Sequence, residues 1–432
     1  LTLGATMMYA NKSSQNMVSQ GEYYNPIVPV YLFPRGDEIE KYKSFERYNP
    51  DRGFATQFWP YGDQKRNIQN PYWTTRRNFN TYKDNRLILG ASLKYTINDW
   101  VNVSARYRID RNTKLNELKN YASTNLLLTS GSDKGSYLRA TDENKNEYAD
   151  IIVNIQKQVS DFEFVVNAGA SLTRAKNNYT ANSNKLEFGA PLASVPNKFT
   201  LNNLSPEPQY QEGGKYENQA IFLSASIDYK RKVFLDLTGR AEWTSRLTNT
   251  PSYSDFYPSV GLSTISTEWA KIPETILSFS KLRVSYAQVG NVPTGLIGVT
   301  STSYPISPGG GVSINANLPI EKLKFERTES YEIGLTSRFM NNLFGFDITY
   351  YNSNTFDQLF KFRAPDGSGY ENYYVNAGKV NNHGIEASID ADFKFGNVGY
   401  SPMVTFTYNK NTIKELIKNV PNPISNELMN MD

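Results

Sequence analysis

The sequence predicts an all-β protein, a transmembrane antiparallel up-and-down β-barrel with short turns at one end and long loops at the other. Three observations support this: polar and apolar side chains alternate in many stretches of about ten residues, short and long connections take turns, and many polar stripes carry charge along their length. In residues 232–245, KVFLDLTGRAEWTS, Asp236, Arg240 and Glu242 share one side of a strand, and Leu235 lies on the other. The pattern alone leaves open which side faces water.

Composition and charge narrow the class of protein. Aromatic residues make up 13% of the 432 residues, with 30 Tyr and 23 Phe, which suits strands better than helices. The net charge of +4 gives no field directed at nucleic acid, and zero Cys excludes thiol catalysis, cysteine zinc sites and disulfides. The sequence contains no run of about 18 apolar residues, so it predicts no membrane-spanning helix. Low mean hydropathy is compatible with a membrane barrel, because lipid contact there is spread over alternate residues.

Each alternating stretch is a predicted strand. Most have the length of about ten residues that a tilted strand needs to cross a membrane. In chain order they are residues 1–10, 86–95, 100–110, 150–156, 161–174, 220–229, 232–245, 257–266, 281–289, 330–339, 343–352, 358–364, 373–380, 384–393 and 400–410. Together they predict about fifteen strands.

The connections between these strands alternate in length. The short ones are 96–99, 159–160, 230–232, 340–342 and 396–398, and the long polar ones are about 11–85, 111–148, 175–218 and 290–328. A soluble domain seldom contains several long structureless loops, whereas outer-membrane barrels have short periplasmic turns and long extracellular loops. The connection 266–279 is moderately long where a short turn is expected, and its sequence suggests a small turn with a helical piece.

In a wide membrane barrel the polar face of each strand lines the lumen and the apolar face meets lipid, the reverse of a small soluble barrel. A soluble sandwich shows the same alternation in any single strand, so the prediction depends on its repetition. The predicted lumen-lining residues are Arg106, Arg108, Asp236, Arg240, Glu242, Arg283, Glu332, Arg338, Glu386 and Asp390.

Aromatic side chains in the long loops are candidates for substrate binding, because they stack on sugar rings or clasp peptide side chains. The candidates are Trp59, Tyr61, Trp73, Tyr304, Tyr370 and Tyr373. Trp73 belongs to NPYW, residues 70–73, for which a structural role is the competing interpretation.

No constellation for catalysis, metal binding or a cofactor is expected. The only histidine, His383, is predicted to have a loop or strand-cap role. DENKNE at 142–147 lacks the glycine and the last glutamate of a calcium loop, and PGGG at 308–311 lacks the Lys-Ser/Thr of a phosphate-binding loop. RGD at 35–37 is short enough to be a chance match to an adhesion motif.

Four segments resemble the SusC/RagA group of TonB-dependent outer-membrane transporters, in the order that the group has them. Residues 70–110 contain NPYW followed by a strand, a tight turn and a strand, and residues 281–291, KLRVSYAQVGN, are similar to a second element. FERTESYEIGLTSRFMNNLFGFDITYYNSNTFDQLF at 325–360 and NAGKVNNHGIEASIDADF at 376–393 are the more specific matches.

The resemblance implies a 22-stranded barrel filled by an N-terminal plug. We therefore expect residues 1–432 to be part of one barrel domain, without the plug. The implied function is TonB-dependent uptake of oligosaccharides, or alternatively oligopeptides, with a SusD-like surface lipoprotein and the TonB complex as partners. Contact with membrane lipid and lipopolysaccharide, pairing of two such complexes and no binding of nucleic acid are also expected. A passive channel or adhesin without TonB coupling, and a secreted β-rich enzyme, remain as alternatives.

Overall fold

The computed structural model describes residues 1–17, 24–61, 68–183, 187–205, 210–248, 250–270, 272–292, 315–318 and 323–431. Within these ranges one sheet has fifteen strands, of which two are short and thirteen are long. The long strands are β1 (Thr2–Gln15), β2 (Asn78–Asn98), β3 (Val101–Tyr121), β4 (Gly135–Val159), β5 (Phe162–Ala181), β6 (Tyr210–Tyr229), β7 (Val233–Thr244), β8 (Ser254–Ile265), β9 (Leu277–Asn291), β10 (Glu326–Phe339), β11 (Phe344–Arg363), β12 (Tyr370–Ala391) and β13 (Met403–Glu415). Each pairs antiparallel with the next, so the chain runs up and down.

The rest of the described chain forms short helices, 3-10 turns, short strands and small hairpins. The α-helices are α1 (Ile27–Tyr31) and α2 (Pro71–Arg77), and the 3-10 turns are Ile39–Tyr42, Leu201–Asn203, Ser245–Leu247 and Ser266–Glu268. The two short strands of the sheet are Ala190–Pro191 and Asn315–Asn317, and separate hairpins pair Glu46–Asn49 with Phe54–Gln57, Phe393–Phe395 with Val398–Tyr400, and Ile417–Pro421 with Leu428–Met431. No helix in the described part of the chain has the length and apolar character needed to span a membrane.

Several strands are longer than the sequence predicts, reaching 25 residues in β4. The predicted strands 343–352 and 358–364 are one strand, β11, and 373–380 and 384–393 are one strand, β12. Most of the predicted loop 111–148 is also strand. The reason is that ladder hydrogen bonds continue beyond the alternating segment, where both faces are polar and the period-two signal disappears.

The tight turns, at the ends of the strands opposite the long loops, lie where the sequence predicts them. Ser160, Lys230 and Arg231 have positive φ, as do Met340 and Asn341, which suits tight hairpin turns of two to four residues. The longer connection between β8 and β9 contains the 3-10 turn Ser266–Glu268. Short connections therefore gather at one end of the sheet and long ones at the other.

The described residues have no single apolar core. Three small buried clusters form instead, centred on Leu138, Leu247 and Tyr373. Among the described strands, β1 and β13 each pair on one side only, and nearly all their residues are exposed. These two strands are thus left uncovered by the rest of the described chain.

Candidate functional site

Strand register places all ten predicted lumen-lining residues on one face of the sheet. Residues directly opposite each other in an antiparallel pair share a face. Arg106 lies opposite Asp150, and Thr349 lies opposite both Gly334 and Glu386. Residues two apart along one strand also share a face. Applied from strand to strand, these two rules place the following residues on the same face: Arg106, Arg108, Asp236, Arg240, Glu242, Arg283, Glu332, Arg338, Glu386 and Asp390.

Ion pairs lie on this face, one within a single strand and the others between strands that are neighbours or one strand apart. Arg283 is the best connected: its guanidinium donates to Asp347 at 2.9 and 3.1 Å and to the hydroxyls of Thr336 and Thr349, each at 2.6 Å. Other pairs join Arg106 to Asp150 at 2.6 Å, Arg240 to Glu242 at 3.0 Å and Arg338 to Asp390 at 3.4 Å. Such a face is stable only where water or protein groups solvate the charges.

The opposite face is apolar and exposed. Leu237 is 40% exposed, Ile333 48% and Ile389 57%, and they lie on the face away from the ion pairs. A contiguous exposed apolar sheet face of this size marks contact with another apolar medium. The pattern is therefore inverted relative to a soluble barrel, with ions on one side and hydrocarbon-compatible side chains on the other.

The apolar face ends at a line of tyrosines, and polar residues follow two positions further along each strand. The pairs are Tyr286 and Gln288, Tyr331 and Glu329, Tyr350 and Asn352, and Tyr408 and Lys410. Tyrosine has an apolar ring and a polar tip, so it collects where hydrocarbon gives way to water. We interpret the line as the upper boundary of the lipid-facing band.

An aromatic cluster forms in the first long loop. The rings of Tyr42 and Trp59 lie 5.3 Å apart, those of Trp59 and Tyr61 5.3 Å, and those of Phe33 and Tyr61 5.5 Å, all edge to face. The Asp37 carboxylate accepts hydrogen bonds from Tyr42 Oη at 2.6 Å and from Tyr61 Oη at 2.5 Å. These bonds hold the pKa of Asp37 well below its ordinary value and raise the pKa of both tyrosines.

Part of this cluster borders a cavity of about 270 Å³, whose lining includes Leu32, Phe33, Trp59, Tyr61 and Ile68. The indole Nε1 of Trp59 is buried and has no hydrogen-bond partner among the described residues. A buried unpaired donor costs free energy, which a ligand oxygen would recover. A wall that combines aromatic and aliphatic side chains with polar atoms, and that has one free donor, suits a ring or chain that carries oxygens.

Trp73 does not belong to this cavity, contrary to the expectation that it binds substrate. It is 1% exposed, and its Nε1 donates to Thr124 Oγ1 at 3.0 Å. The NPYW segment starts α2: Asn70 Oδ1 accepts from the Tyr72 backbone N–H at 2.9 Å and Pro71 takes the first turn. The helix thereby turns Trp73 inward, and its role is structural.

Tyr373, another predicted substrate-binding residue, is only 6% exposed, and its hydroxyl contacts Met429 Sδ at 3.4 Å, which favours a packing role. Tyr370 is partly buried beside the same small cluster. Tyr304 lies outside the described residues. His383 lies inside β12 rather than at a strand start, and its Nδ1 is 2.8 Å from Asn381 Oδ1.

Sequence reasoning missed Phe33, Asp37 and Tyr42. Asp37 belongs to the RGD triplet, but its carboxylate is occupied by Tyr42, Tyr61 and Lys41, which leaves it poorly suited to adhesion. The only available signal was the density of aromatics around an acidic residue. In the described part of the chain, no three His, Cys, Asp or Glu side chains are placed to hold a metal ion.

The family model for the TonB dependent receptor-like β-barrel matches residues 32–428. The chain belongs to this family. TonB-dependent receptor P3 of Formosa agariphila is 24% identical over 250 residues, covering 55% of this chain and 25% of that protein. Receptor P39 of the same organism is 25% identical over 318 residues, covering 71% and 29%. The chain therefore spans less than a third of the length of these relatives.

Among solved structures, the RagAB peptide importer in its closed-closed state superposes with a TM-score of 0.71 at 16% identity, covering 87% of this chain and 41% of that one. This likeness of fold agrees with the resemblance of the four sequence segments to the SusC/RagA group. The protein lies in the outer membrane, with the short turns on the periplasmic side and the long loops outside.

Proposed function

We propose that this chain forms part of the barrel of a TonB-dependent importer that takes up oligosaccharides. The supporting observation is the pairing of an exposed apolar face with an ion-paired polar face over the same strands. In this proposal the ten charged residues line a water-filled lumen, and the cargo passes along them. No covalent chemistry is expected, and energy coupling belongs to the plug and to the TonB complex.

The cavity beside Trp59 and Tyr61 supports a role in cargo capture at the extracellular side. Aromatic edges and faces pack well against the apolar faces of sugar rings, and the free indole donor of Trp59 would pair with a ring or hydroxyl oxygen. Phe33 completes the apolar wall. Trp59 and Tyr61 are therefore kept as proposed binding residues, and Trp73 and Tyr373 are not.

Oligopeptides are the second candidate cargo. The observation that favours them is the likeness to the RagAB peptide importer, which is a likeness of fold. The same aromatic cavity would accept an apolar peptide side chain. A SusD-like lipoprotein is proposed as a partner for either cargo, and pairing of two receptor–lipoprotein complexes is proposed with it.

Uptake by cells tests the function. Cells with and without the receptor would be given maltohexaose, cellohexaose, xylohexaose or mannohexaose, and in parallel a tryptic peptide digest, with and without a protonophore. We expect uptake of at least one hexasaccharide to require the receptor and to fall at least tenfold when the protonophore removes the energy source.

Receptor-dependent uptake that survives the protonophore would instead indicate a passive channel. Uptake of peptides alone would replace the proposed cargo by the second candidate. The receptor would also be purified in mild detergent and analysed by mass spectrometry, which should detect a surface lipoprotein that co-purifies with it. Failure of any lipoprotein to co-purify would contradict the proposed partner.

A further inference from the structure

The strands β3 to β6 extend past the tyrosine line into the extracellular space, and one row of side chains there repeats the same group. Asn112 lies opposite Asn144, Asn144 lies opposite Asn177, and Asn177 lies opposite Gly214. Asn112 is on the ion-paired face, because it is an even number of residues from Arg106 along β3. Three amides therefore stand side by side on the inward face, about 4.8 Å apart from strand to strand.

Two of these amides, Asn144 and Asn177, border a groove of about 500 Å³, whose lining also includes Asn146, Gly214 and Tyr216. Gly214 leaves room at the floor of the groove, since a Cβ there would lie 2.9 Å from Asn177 Oδ1 and the amide would have to turn aside. The Arg246 guanidinium lies over the ring of Tyr216, 3.8 Å from its centre, and holds the ring at the end of the groove. The groove thus combines amides, a glycine floor and one oriented aromatic ring with the charged side chains of Lys176, Glu212, Lys215 and Arg246.

The wall next to the groove contains unpaired hydrogen-bond acceptors. Four side-chain oxygens on the same face of β2 and β3 are buried without a partner among the described residues: Asn80 Oδ1, Asp84 Oδ1, Asn112 Oδ1 and Asn116 Oδ1. Unsatisfied buried acceptors are rare and costly in native proteins. Water or a ligand that donates hydrogen bonds would lower this cost.

We propose that this asparagine row, Asn112, Asn144 and Asn177, is a cargo subsite for a neutral oligosaccharide; the inference depends on the proposed import function. An asparagine amide has two N–H donors and one acceptor; the Asn144 amide nitrogen already donates to Asp142 Oδ1 at 2.8 Å, and Asn112 Oδ1 is buried. Each sugar hydroxyl both donates and accepts, so the remaining amide groups match successive hydroxyls. The strand spacing repeats this match along the row. A peptide presents fewer groups of this dual kind, and Tyr216 and Ala175 form only a small apolar surface for its side chains.

The test measures binding of the four hexasaccharides, and of a tryptic peptide digest, to the receptor in detergent by isothermal titration calorimetry. Asn144→Ala and Asn177→Ala each remove one amide of the row. The matched control is Asn178→Ala, because Asn178 is the next residue of β5 and lies opposite Gly213 on the outward face. We expect at least tenfold weaker binding of the bound sugar for each row variant and less than a twofold change for the control.

Folding is checked by the heat-modifiable migration of each variant on a gel, and Asn177→Gln, which keeps an amide, should retain more affinity than Asn177→Ala. Equal affinities of the wild type and both row variants would overturn the subsite. The import function would still stand if cells took up the sugar only when they contain the receptor. Binding of peptides alone, or of none of the probes, would overturn the oligosaccharide subsite. Equal uptake by cells with and without the receptor would contradict the import function itself.

Discussion

At the scale of single residues, Asp37 organises the first loop. Its carboxylate receives the hydroxyls of Tyr42 and Tyr61 and the ammonium of Lys41 at 3.1 Å. Hydrogen bonds to an ionised acceptor are stronger than neutral ones. The orientation of Tyr61, and with it the shape of the proposed capture cavity, therefore depends on one charge.

Asp37→Asn is expected to loosen the aromatic cluster, because the amide is a weaker acceptor than the carboxylate. Hydrogen–deuterium exchange of residues 33–61 should speed up, whereas exchange in β10 should stay the same. Asp51→Asn, in the exposed turn of the same loop, is the control and should leave both rates unchanged. Unchanged exchange around Tyr61 in Asp37→Asn would contradict the role assigned to the carboxylate.

The same carboxylate predicts a pH dependence. The pKa of Asp37 is depressed below its ordinary value of 3.8, so its stabilising effect is complete above that value and disappears as the pH falls through the lowered pKa. Exchange rates in residues 33–61, corrected for intrinsic exchange, should therefore rise below about pH 3.8 in the wild type. Asp37→Asn should lack this step, and an identical pH profile in both proteins would rule out Asp37 as its source.

At the scale of the strand, β10 shows how two neighbouring residues meet different media. Ile333 lies on the exposed apolar face and Glu332 on the ion-paired face. The two positions have nearly the same depth along the strand. A charge should therefore be costly at one and tolerated at the other.

Ile333→Lys is expected to destabilise the folded barrel in lipid by about 1–2 kcal/mol, because Ile333 lies two residues below Tyr331, between the edge of the lipid-facing band, where a lysine costs about 0–1 kcal/mol, and its middle, where it costs about 2–4 kcal/mol. Glu332→Lys is the matched control and should cost less than about 0.5 kcal/mol, as for most solvated positions. The measurement is urea unfolding of the receptor in phospholipid vesicles. Equal effects at both positions, or a larger effect at Glu332, would refute the assignment of the faces.

At the scale of the whole molecule, the four longest connections between strands lie at one end of the sheet. Membership of the TonB-dependent receptor family puts that end outside the cell and the tight turns in the periplasm. The chain contains no Cys of its own, so single cysteines report orientation without a background from this region.

Asp51→Cys, in the first loop, should react with a membrane-impermeant maleimide in intact cells. Asn341→Cys, in the tight turn between β10 and β11, should react only after the outer membrane is permeabilised. Labelling is read by mass spectrometry of the purified receptor. The reverse pattern would mean that the sheet is inserted the other way up.

The residues in the lipid-facing band could be predicted well. Around Ile333 and Ile385 one face is apolar and the other polar, and such alternation identifies strands, faces and turns without a structure. Above the tyrosine line both faces of β4 and β11 are polar, so the sequence carried no signal for strand there. The predicted loops were too long for this reason.

By itself, the sequence determined the all-β class, the alternation of the ten charged residues and the positions of the tight turns, because these depend on side-chain period and local backbone preference. Only the tertiary structure decided which distant residues meet: Asp37 with Tyr61, Arg283 with Asp347, and Asn144 with Asn177. Strand register and loop packing set these contacts, and both depend on the hydrogen-bonded ladder and on burial across many strands. Trp73 is the clearest case, since an aromatic residue in a loop looks the same in sequence whether it is exposed to cargo or buried under a helix.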